Sequence, residues 1–307
     1  MDYDCVIVGG GIAGLQAAVQ LGRYERRVLV ADAGRGRSTR CRCYRNLLGW
    51  PDGVSGETLR GLGRQHAERF GVMFVAEEIV AASVGGCGFL LRGSRDEARL
   101  YEARTLLLAT GLIDRTPPIP GLEPCLGLTV YVCPDCDGYE VKGRRTIVLG
   151  AGTVGAEMAL QLSAKASETV YVNHEMTELP PELERRMDAA GIRYAAEAIE
   201  SVDADETGQF AGVMLRSGVK VAGERGFVAF GGNRVRSELA QQLGVERLEN
   251  RHIQTDPRTK MTNVRHVWAA GDVAVHAEQV AIAMGEGAQA AIWIHKALTA
   301  MEQGAGG

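Results

Sequence analysis

The chain has 307 residues, of which 46% are hydrophobic and 40 are glycine, so it is long enough for two domains that each bury a core. Its formal charge of -4 gives no broad electropositive surface, which argues against nucleic acid or an anionic membrane as a main partner. No apolar run approaches the roughly 20 residues of a membrane helix, and the start 1–4 lacks the basic region and apolar core of a signal peptide. We therefore expect a soluble, cytoplasmic protein.

Cysteine usage is a second constraint. Seven cysteines are an odd number in a chain without a secretory signal, so a structural disulfide framework is not expected. One redox-active pair accompanied by other thiols is more consistent with this number. Cys5 begins an apolar strand and is expected in the core, whereas Cys87 lies in a glycine-rich turn.

The first predicted unit is a strand, a glycine turn and a helix. The apolar run 5–8 leads into Gly9, Gly11 and Gly14, and a helical apolar pattern and a second strand follow. Glycine permits a tight turn, and backbone N–H groups at the helix N-terminus can then hold a pyrophosphate. Asp32, at the end of the second strand, is placed to accept hydrogen bonds from ribose hydroxyls. A glycine turn that serves packing alone is the alternative.

A basic loop follows this unit. It places Cys41 and Cys43 among Arg37, Arg40, Arg42 and Arg45. The positive charge could activate either thiol, but an exposed loop with incidental thiols is the simpler interpretation. The loop could also receive an acidic electron donor, with a solvated charged loop as the alternative.

The pair Cys133 and Cys136 is the main chemical motif. Two thiols separated by two residues can close a disulfide, and such motifs commonly lower the pKa of one thiol. A zinc site would need two further ligands, and Cys41-x-Cys43 has the wrong spacing to be an obvious source of them. A thioredoxin fold would carry the motif near the start of a small single domain. Here it stands shortly before a second glycine triplet, which favours a redox pair that exchanges disulfides.

The second predicted unit repeats the first. An apolar strand leads into Gly150, Gly152 and Gly155, and Asn173 occupies the position that Asp32 has in the first unit. One such triplet is weak evidence for nucleotide binding. Two triplets at matched spacing, each between a strand and a helix, strongly indicate two dinucleotide-binding folds.

The domain boundaries are indicated by two connectors. Residues 116–121 are rich in proline, and residues 230–233 contain two glycines. We therefore predict an α/β protein with two Rossmann-like dinucleotide-binding domains, the second inserted in the first. The first domain is predicted to comprise residues 1–115 and 232–307, and the second to comprise residues 116–231.

Two later segments resemble parts of the FAD pocket of flavoprotein disulfide reductases. One strand ends in residues 109–111, and another ends in Gly271 and Asp272. The resemblance implies that Asp272 binds the ribityl chain, and that the helix beginning near Gln279 and Val280 stabilises negative charge on the reduced flavin through its dipole. The residues expected to bind FAD are Gly9, Gly11, Ala13, Gly14, Asp32, Asn46, Ala109, Thr110, Gly111, Gly271, Asp272, Gln279 and Val280.

Nearly the whole chain resembles the low-molecular-weight thioredoxin reductase family, including the segment 46–51. The run 133–138, Cys-Pro-Asp-Cys-Asp-Gly, matches the redox motif of that family. The resemblance implies that Cys136 lies next to the flavin, that Cys133 attacks the partner disulfide, and that Asp137 donates and accepts a proton. A simple turn residue is the alternative for Asp137. The family also implies a homodimer formed through the FAD domain.

The second dinucleotide site departs from the family pattern. Thioredoxin reductases hold the 2′-phosphate of NADPH with an arginine cluster, whereas the aligned residues here are Asn173, His174, Glu175 and Leu179. Bidentate contacts to phosphate are then missing, and Glu175 would repel it. Because the glycine turn is intact, we expect NADH or a second FAD in preference to NADPH. The residues expected at this second site are Gly150, Gly152, Thr153, Val154, Gly155, Asn173, His174 and Glu175.

These observations predict an FAD-dependent thiol-disulfide oxidoreductase that passes electrons through the Cys133–Cys136 pair to a thioredoxin-like protein or another disulfide. Ferredoxin or another donor is an alternative to a nicotinamide, since the resemblance extends to atypical members. The reverse reaction, a dithiol oxidase that uses oxygen, is one rival; Asp137 argues against it because such members often carry His at that position. A non-catalytic flavin-binding redox sensor is a rival of another class. His276 could approach the flavin or the dithiol, or be structural.

Overall fold

The computed structural model describes residues 3–86, 88–95, 99–275 and 277–304, so Cys87 and His276 lie outside the described residues. The strands in chain order are β1 (Tyr3–Val8), β2 (Val28–Ala31), β3 (Met73–Val75), β4 (Ile79–Val84), β5 (Phe89–Gly93), β6 (Leu100–Leu108), β7 (Leu112–Ile113), β8 (Val130–Tyr131), β9 (Arg145–Gly150), β10 (Glu168–Asn173), β11 (Arg193–Ala195), β12 (Ile199–Ala204), β13 (Phe210–Leu215), β14 (Lys220–Ala222), β15 (Arg225–Ala229), β16 (Arg234–Val235) and β17 (Val267–Ala269). The helices are α1 (Ile12–Arg23), α2 (Arg37–Arg40), α3 (Gly56–Glu68), α4 (Pro134–Asp137), α5 (Gly152–Ser163), α6 (Pro181–Ala189), α7 (Glu238–Gln242) and α8 (Val280–Gly304). None of these helices has the length and apolar character needed to cross a membrane, as far as the described residues go.

The chain divides into two compact units. The first comprises Met1–Thr39, Gly56–Ile113 and Arg234–Gly307, and the second comprises Arg40–Ser55 and Asp114–Asn233. Strands β7 and β16 pair antiparallel where the chain leaves the first unit and returns to it. Residues 40–55, which the sequence analysis placed in the first domain, therefore group with the second unit.

The first unit is built on one sheet with the strand order β3-β2-β1-β6-β5-β4, and β17 also pairs with β6. Strands β3, β2, β1, β6 and β17 run parallel, while β5 pairs antiparallel with both β6 and β4. Val8 is in register with Ala31 of β2 and with Leu108 of β6, and Leu108 is in register with Ala269 of β17. The carboxyl ends of these four strands therefore meet at one edge of the sheet, where ligands bind in open α/β folds.

Both faces of this sheet are covered, and successive side chains of β1 point to opposite faces. Cys5 and Ile7 point to a core shared with helices α1 and α8, whereas Val6 and Val8 point to a second core on the opposite face. Cys5 is fully buried, as the sequence predicted. Helix α8 lies against α1 at Gly287, where a Cβ atom would come within 2.2 Å of a backbone carbonyl of α1.

The second unit has a parallel sheet with the strand order β11-β10-β9-β15-β8 and a separate antiparallel sheet, β12-β13-β14. Gly150 at the end of β9 is in register with Asn173 of β10 and with Ala229 of β15. Ile147 and Val148 contribute to cores on opposite faces of the parallel sheet. The second unit thus repeats the strand–turn–helix arrangement of the first around β9, α5 and β10, and the predicted two-domain α/β fold is confirmed.

Residues 40–55 form a hairpin-like loop held by Tyr44 and Val54, whose backbones exchange hydrogen bonds of 2.7 and 3.1 Å. The backbone of Arg40 lies against Gly127, where an added Cβ atom would be 2.3 Å from the Arg40 carbonyl oxygen. Gly127 has a φ of 72°, which glycine adopts readily. Sequence patterns near residue 40 contain no signal for this contact, since it depends on a glycine 87 residues away along the chain.

A buried ion pair fixes the turn after β17. The Lys260 ammonium lies 2.9 Å from one carboxylate oxygen of Glu286, and the backbone N–H of Gly271 donates to the other at 3.0 Å. Both side chains are largely buried, with exposed fractions of 13% and 7%. Because Glu286 lies on α8 and Gly271 follows β17, this carboxylate connects the helix to the sheet edge.

We expect Glu286→Ala to destabilise the first unit by about 3–5 kcal/mol, because it leaves a buried ammonium without its carboxylate partner. The measurement is the free energy of unfolding in urea. Glu238→Ala is the matched control, since it removes an exposed ion pair with Arg234 and should cost about 0.5 kcal/mol. Equal losses from the two variants would show that the Lys260–Glu286 pair contributes no more than a surface pair.

Candidate active site

The first glycine turn connects β1 to α1. A Cβ atom on Gly9 would be 2.2 Å from the Ala109 carbonyl oxygen, and one on Gly14 would be 2.0 Å from the Gly9 carbonyl oxygen. Neither position can carry a side chain without moving the backbone. Around Gly11, by contrast, a Cβ atom would have no neighbour within 4 Å. The turn is therefore tightly packed on its inner side and open at the N-terminus of α1, as a pyrophosphate site requires.

Asp32 follows β2 beside this turn, but its carboxylate is already paired. It accepts hydrogen bonds from the Arg60 guanidinium at 2.6 Å and from the Gly34 backbone at 3.1 Å, and Arg60 also donates to the Gly10 carbonyl at 3.2 Å. Arg60 is not among the residues predicted from the sequence, where its one signal is its place near Arg64 on the polar face of α3. A cavity of about 370 Å³ lies here, lined by Gly10, Leu15, Asp32, Thr39, Glu57, Arg60, Gly61, Arg64 and Phe74.

Asp272 lies at the turn after β17 and is also held by an arginine. The Arg37 guanidinium is 3.3 Å from the Asp272 carboxylate and forms a second ion pair with Glu278. Gly271, which precedes Asp272, has a φ of 79°, and a Cβ atom there would be 2.8 Å from the Ala13 side chain. The lack of a side chain at Gly271 therefore lets the Asp272 turn approach the first turn of α1.

The remaining residues predicted to bind FAD in this unit lie at strand and helix ends. Residues 109–111 follow β6, where the Thr110 hydroxyl donates to the Arg236 carbonyl and the Gly111 carbonyl accepts from the Arg236 backbone at 3.0 Å. Val280 is the first residue of α8, and the Gln279 carbonyl accepts a hydrogen bond from a backbone N–H one turn along it. The N-terminus of this long helix thus carries the positive end of its dipole.

These features together fit FAD in the first unit. The structure brings the first glycine turn, Asp32, residues 109–111 and Asp272 to the carboxyl ends of β1, β2, β6 and β17, which are neighbours in one sheet. The open face of Gly11 and the nearby cavity provide space for a phosphate and a nucleoside. Asn46, which is also predicted to bind FAD, belongs to the second unit.

The two motif cysteines of the second unit are side by side. Cys133 precedes α4 and Cys136 lies within it, and the two Sγ atoms are 2.7 Å apart. The backbone N–H of Asp137 donates to the Cys133 carbonyl at 3.0 Å, which closes the helical turn between them. This turn places residues three apart on one face, so both sulfur atoms can take part in one disulfide exchange.

Asp137 has a carboxyl group suited to proton transfer. Burial raises its pKa from 3.8 to about 6; the Arg45 guanidinium opposes this shift, and the Glu140 carboxylate adds to it. Arg45 and Glu140 lie 3.8 Å apart, so the basic loop and the redox segment meet within the second unit. A carboxyl group that titrates near pH 6 can both hold and release a proton close to neutral pH.

Two thiols outside the motif, Cys41 and Cys5, have raised pKa values. Burial raises the pKa of Cys41 to about 12, and nearby Asp137 and Cys43 add to this shift. Burial also raises the pKa of Cys5 to about 12. The arginines of the basic loop therefore do not produce a reactive thiolate at Cys41. Across the part of the chain that the structure describes, no cluster of three or more His, Cys, Asp or Glu side chains is placed to hold a metal ion.

The second glycine turn is also tightly packed on its inner side. A Cβ atom on Gly150 would be 2.6 Å from the Ala229 carbonyl oxygen, and one on Gly155 would be 2.4 Å from the Tyr171 ring. The predicted site residues Thr153 and Val154 lie in the first turn of α5. They line a cavity of about 630 Å³ along that helix, together with Glu157, Met158, Leu160, Gln161 and Arg186.

The three predicted contacts at the end of β10 and directly after it are each engaged within the protein. Asn173 is fully buried, and its amide group hydrogen-bonds to neighbouring chain segments. His174 accepts a hydrogen bond from the Ile199 backbone at 2.9 Å, and burial lowers its pKa. Glu175 forms an ion pair with Arg115, an arginine that the sequence analysis did not single out.

Comparison with known proteins agrees with this geometry. The family model described as pyridine nucleotide-disulphide oxidoreductase matches residues 3–287. Thioredoxin reductase from Escherichia coli O157:H7 is 30% identical over 309 residues, which cover 94% of this chain and 93% of that protein.

The chain is also similar in structure to proteins whose structures have been solved. The crystal structure of HlmI has a TM-score of 0.89 and 28% identity, and the match covers 99% of this chain and 95% of that one. The atypical thioredoxin reductase TRi from Desulfovibrio vulgaris Hildenborough has a TM-score of 0.54 and 29% identity, with coverage of 97% and 98%. The chain therefore belongs to the pyridine nucleotide-disulphide oxidoreductase family and is a thioredoxin reductase-like, flavin-dependent disulfide oxidoreductase.

Proposed function

We propose that the protein reduces the disulfide of a thioredoxin-like protein, or a smaller disulfide, through the Cys133–Cys136 pair, with electrons from FAD and from a donor other than NADPH. The observation that carries the proposal is the placement of two sulfur atoms 2.7 Å apart beside Asp137, whose carboxyl pKa is about 6. Relatives named thioredoxin reductase support the choice of partner.

The chemistry assigned to FAD is the transfer of two electrons from the donor to the disulfide. Asp137 supplies the proton that one sulfur needs when the Cys133–Cys136 disulfide opens. The Cys133 thiolate then attacks one sulfur of the partner disulfide, so that a mixed disulfide forms and the other partner sulfur leaves as a thiolate. Cys136 attacks the Cys133 sulfur, which restores the internal disulfide and releases the second partner thiolate. Asp137 can take up the proton that Cys136 loses.

The donor proposal rests on the residues after β10. A 2′-phosphate is held most favourably by bidentate guanidinium groups, and this segment instead presents Glu175. Arg115 is already paired with Glu175, so a phosphate would have to compete with that carboxylate for the guanidinium. The homodimer and the cytoplasmic location remain predictions from the sequence.

Replacing the two cysteines one at a time should separate their roles. Cys133→Ser is expected to reduce disulfide turnover to the rate without enzyme, because the attacking sulfur is lost. Cys136→Ser should also stop turnover but leave a stable mixed disulfide between Cys133 and the partner, since the second attack cannot occur. Mass spectrometry of the protein after mixing with oxidised thioredoxin measures both outcomes.

Cys43→Ser is the control and should retain turnover. A mixed disulfide on Cys136 in the Cys133→Ser variant, formed as fast as the Cys133 adduct, would reverse the assignment of the two sulfurs. Peroxide release during turnover of a dithiol with oxygen, without reduction of any disulfide, would favour the oxidase direction instead.

The rate of disulfide reduction should depend on the ionisation of Asp137. We expect the wild-type rate to change with an inflection near pH 6, where this carboxyl group titrates. Asp137→Asn should remove the inflection and slow the reaction on the order of 10²-fold, a typical loss for a general acid and base. Asp135→Asn, an exposed change in the same motif, is the control. The same inflection in Asp137→Asn would contradict the assignment.

The same carboxyl group should affect stability with a defined sign. Its pKa is higher in the folded protein, so between pH 3.8 and about 6 the folded state keeps a proton that the unfolded state has lost. The free energy of unfolding should therefore fall as the pH rises through this interval. Asp137→Asn should weaken that fall, which urea unfolding at several pH values can measure.

A further inference from the structure

The two glycine turns differ on the side that would face a ligand. At Gly11 of the first turn, a Cβ atom would have no neighbour within 4 Å. At Gly152, the equivalent glycine of the second turn, the Thr177 side chain covers this side, with its methyl carbon 3.3 Å and its Cβ 3.5 Å from the position of a Cβ atom. The Cβ position is therefore open at Gly11 and covered at Gly152, whose backbone also differs, with a φ of 54° against -76° at Gly11.

The backbone of Gly152 is also engaged on both sides. Its N–H donates to the Asn173 side-chain oxygen at 3.2 Å, and its carbonyl accepts from the Tyr171 hydroxyl at 2.8 Å. An N–H group that is already bonded to an amide oxygen is not available to a phosphate oxygen unless that bond breaks.

Asn173 is held in place by the segment that covers the turn. Its side-chain nitrogen donates to the Thr177 carbonyl at 2.7 Å and to the Tyr194 hydroxyl at 2.9 Å. The side chain is fully buried, whereas the equivalent Asp32 has an exposed fraction of 24% and lines a cavity. The residue expected to contact a ribose therefore links the glycine turn to the Thr177 segment.

We propose that Thr177 and Asn173 close the second glycine turn, so that it is a structural turn and binds no dinucleotide. The family implies a nicotinamide site, but the residues here do not fit one, and the same closure argues against the NADH or second FAD expected from the sequence. This inference goes beyond the proposed function, because it concerns binding alone and does not depend on which disulfide is reduced.

The test measures binding to the FAD-loaded enzyme by isothermal titration calorimetry. NADH, NADPH and ADP-ribose should give no saturable binding up to about 1 mM, the upper end of ordinary KM values. Flavin released from the purified protein should amount to about one FAD per chain, as one fitting site implies. Saturable binding of any of these nucleotides, or about two FAD per chain, would overturn the proposal.

A matched pair of variants tests the role of Thr177. Thr177→Gly removes the covering side chain and should bind ADP-ribose saturably with a Kd below about 0.1 mM, roughly tenfold under the concentration at which the wild type shows no binding. Thr177→Val keeps the methyl group over Gly152, replaces the hydroxyl by a second methyl, and should behave as the wild type. Equal binding in all three proteins would show that Thr177 does not close the turn. Loss of Cys133-dependent reduction would refute the proposed function but leave these binding results unchanged.

Discussion

Direct backbone contact at the first glycine turn is the constraint on which the first unit depends. Gly14 lies so close to the Gly9 carbonyl, and Gly9 so close to the Ala109 carbonyl, that no side chain can be accommodated. This contact brings α1 against β1, which pairs with both β2 and β6. Because β1 is the shared neighbour, the turn determines where Asp32 and residues 109–111 lie relative to one another. The proposed FAD site therefore depends on direct backbone contacts at glycine positions that cannot carry a side chain.

The functional carboxylates differ in whether a neighbouring arginine or burial has the larger effect on them. Asp32 and Asp272 each accept a hydrogen bond from a guanidinium group. Asp137 also has an arginine nearby, yet burial has the larger effect and raises its pKa. The chain thus separates carboxylates suited to orienting hydroxyl groups from one suited to exchanging a proton.

The two units show that a glycine triplet alone does not define a nucleotide site. Both triplets have first and third glycines that are packed too closely for a side chain, as the geometry of a strand followed by a helix requires. They differ on the ligand side, where Gly11 is open and Gly152 is covered by Thr177. The fold of a dinucleotide-binding unit can therefore be retained while side chains from a neighbouring loop take the place of the ligand.

The sequence by itself determined the two strand–turn–helix units and the placement of the two thiols. Both depend on local geometry, since glycine spacing sets the turns and one helical turn brings Cys133 beside Cys136. Only the tertiary structure decided that residues 40–55 pack with the second unit, that Arg60 pairs with Asp32, and that the buried Asn173 hydrogen-bonds to Tyr194. These partners are separated along the chain, Arg60 from Asp32 by 28 residues and Asn173 from Tyr194 by 21. Local hydrophobic periodicity reports which face of an element is buried, but the partner of a polar side chain depends on which elements the fold brings together.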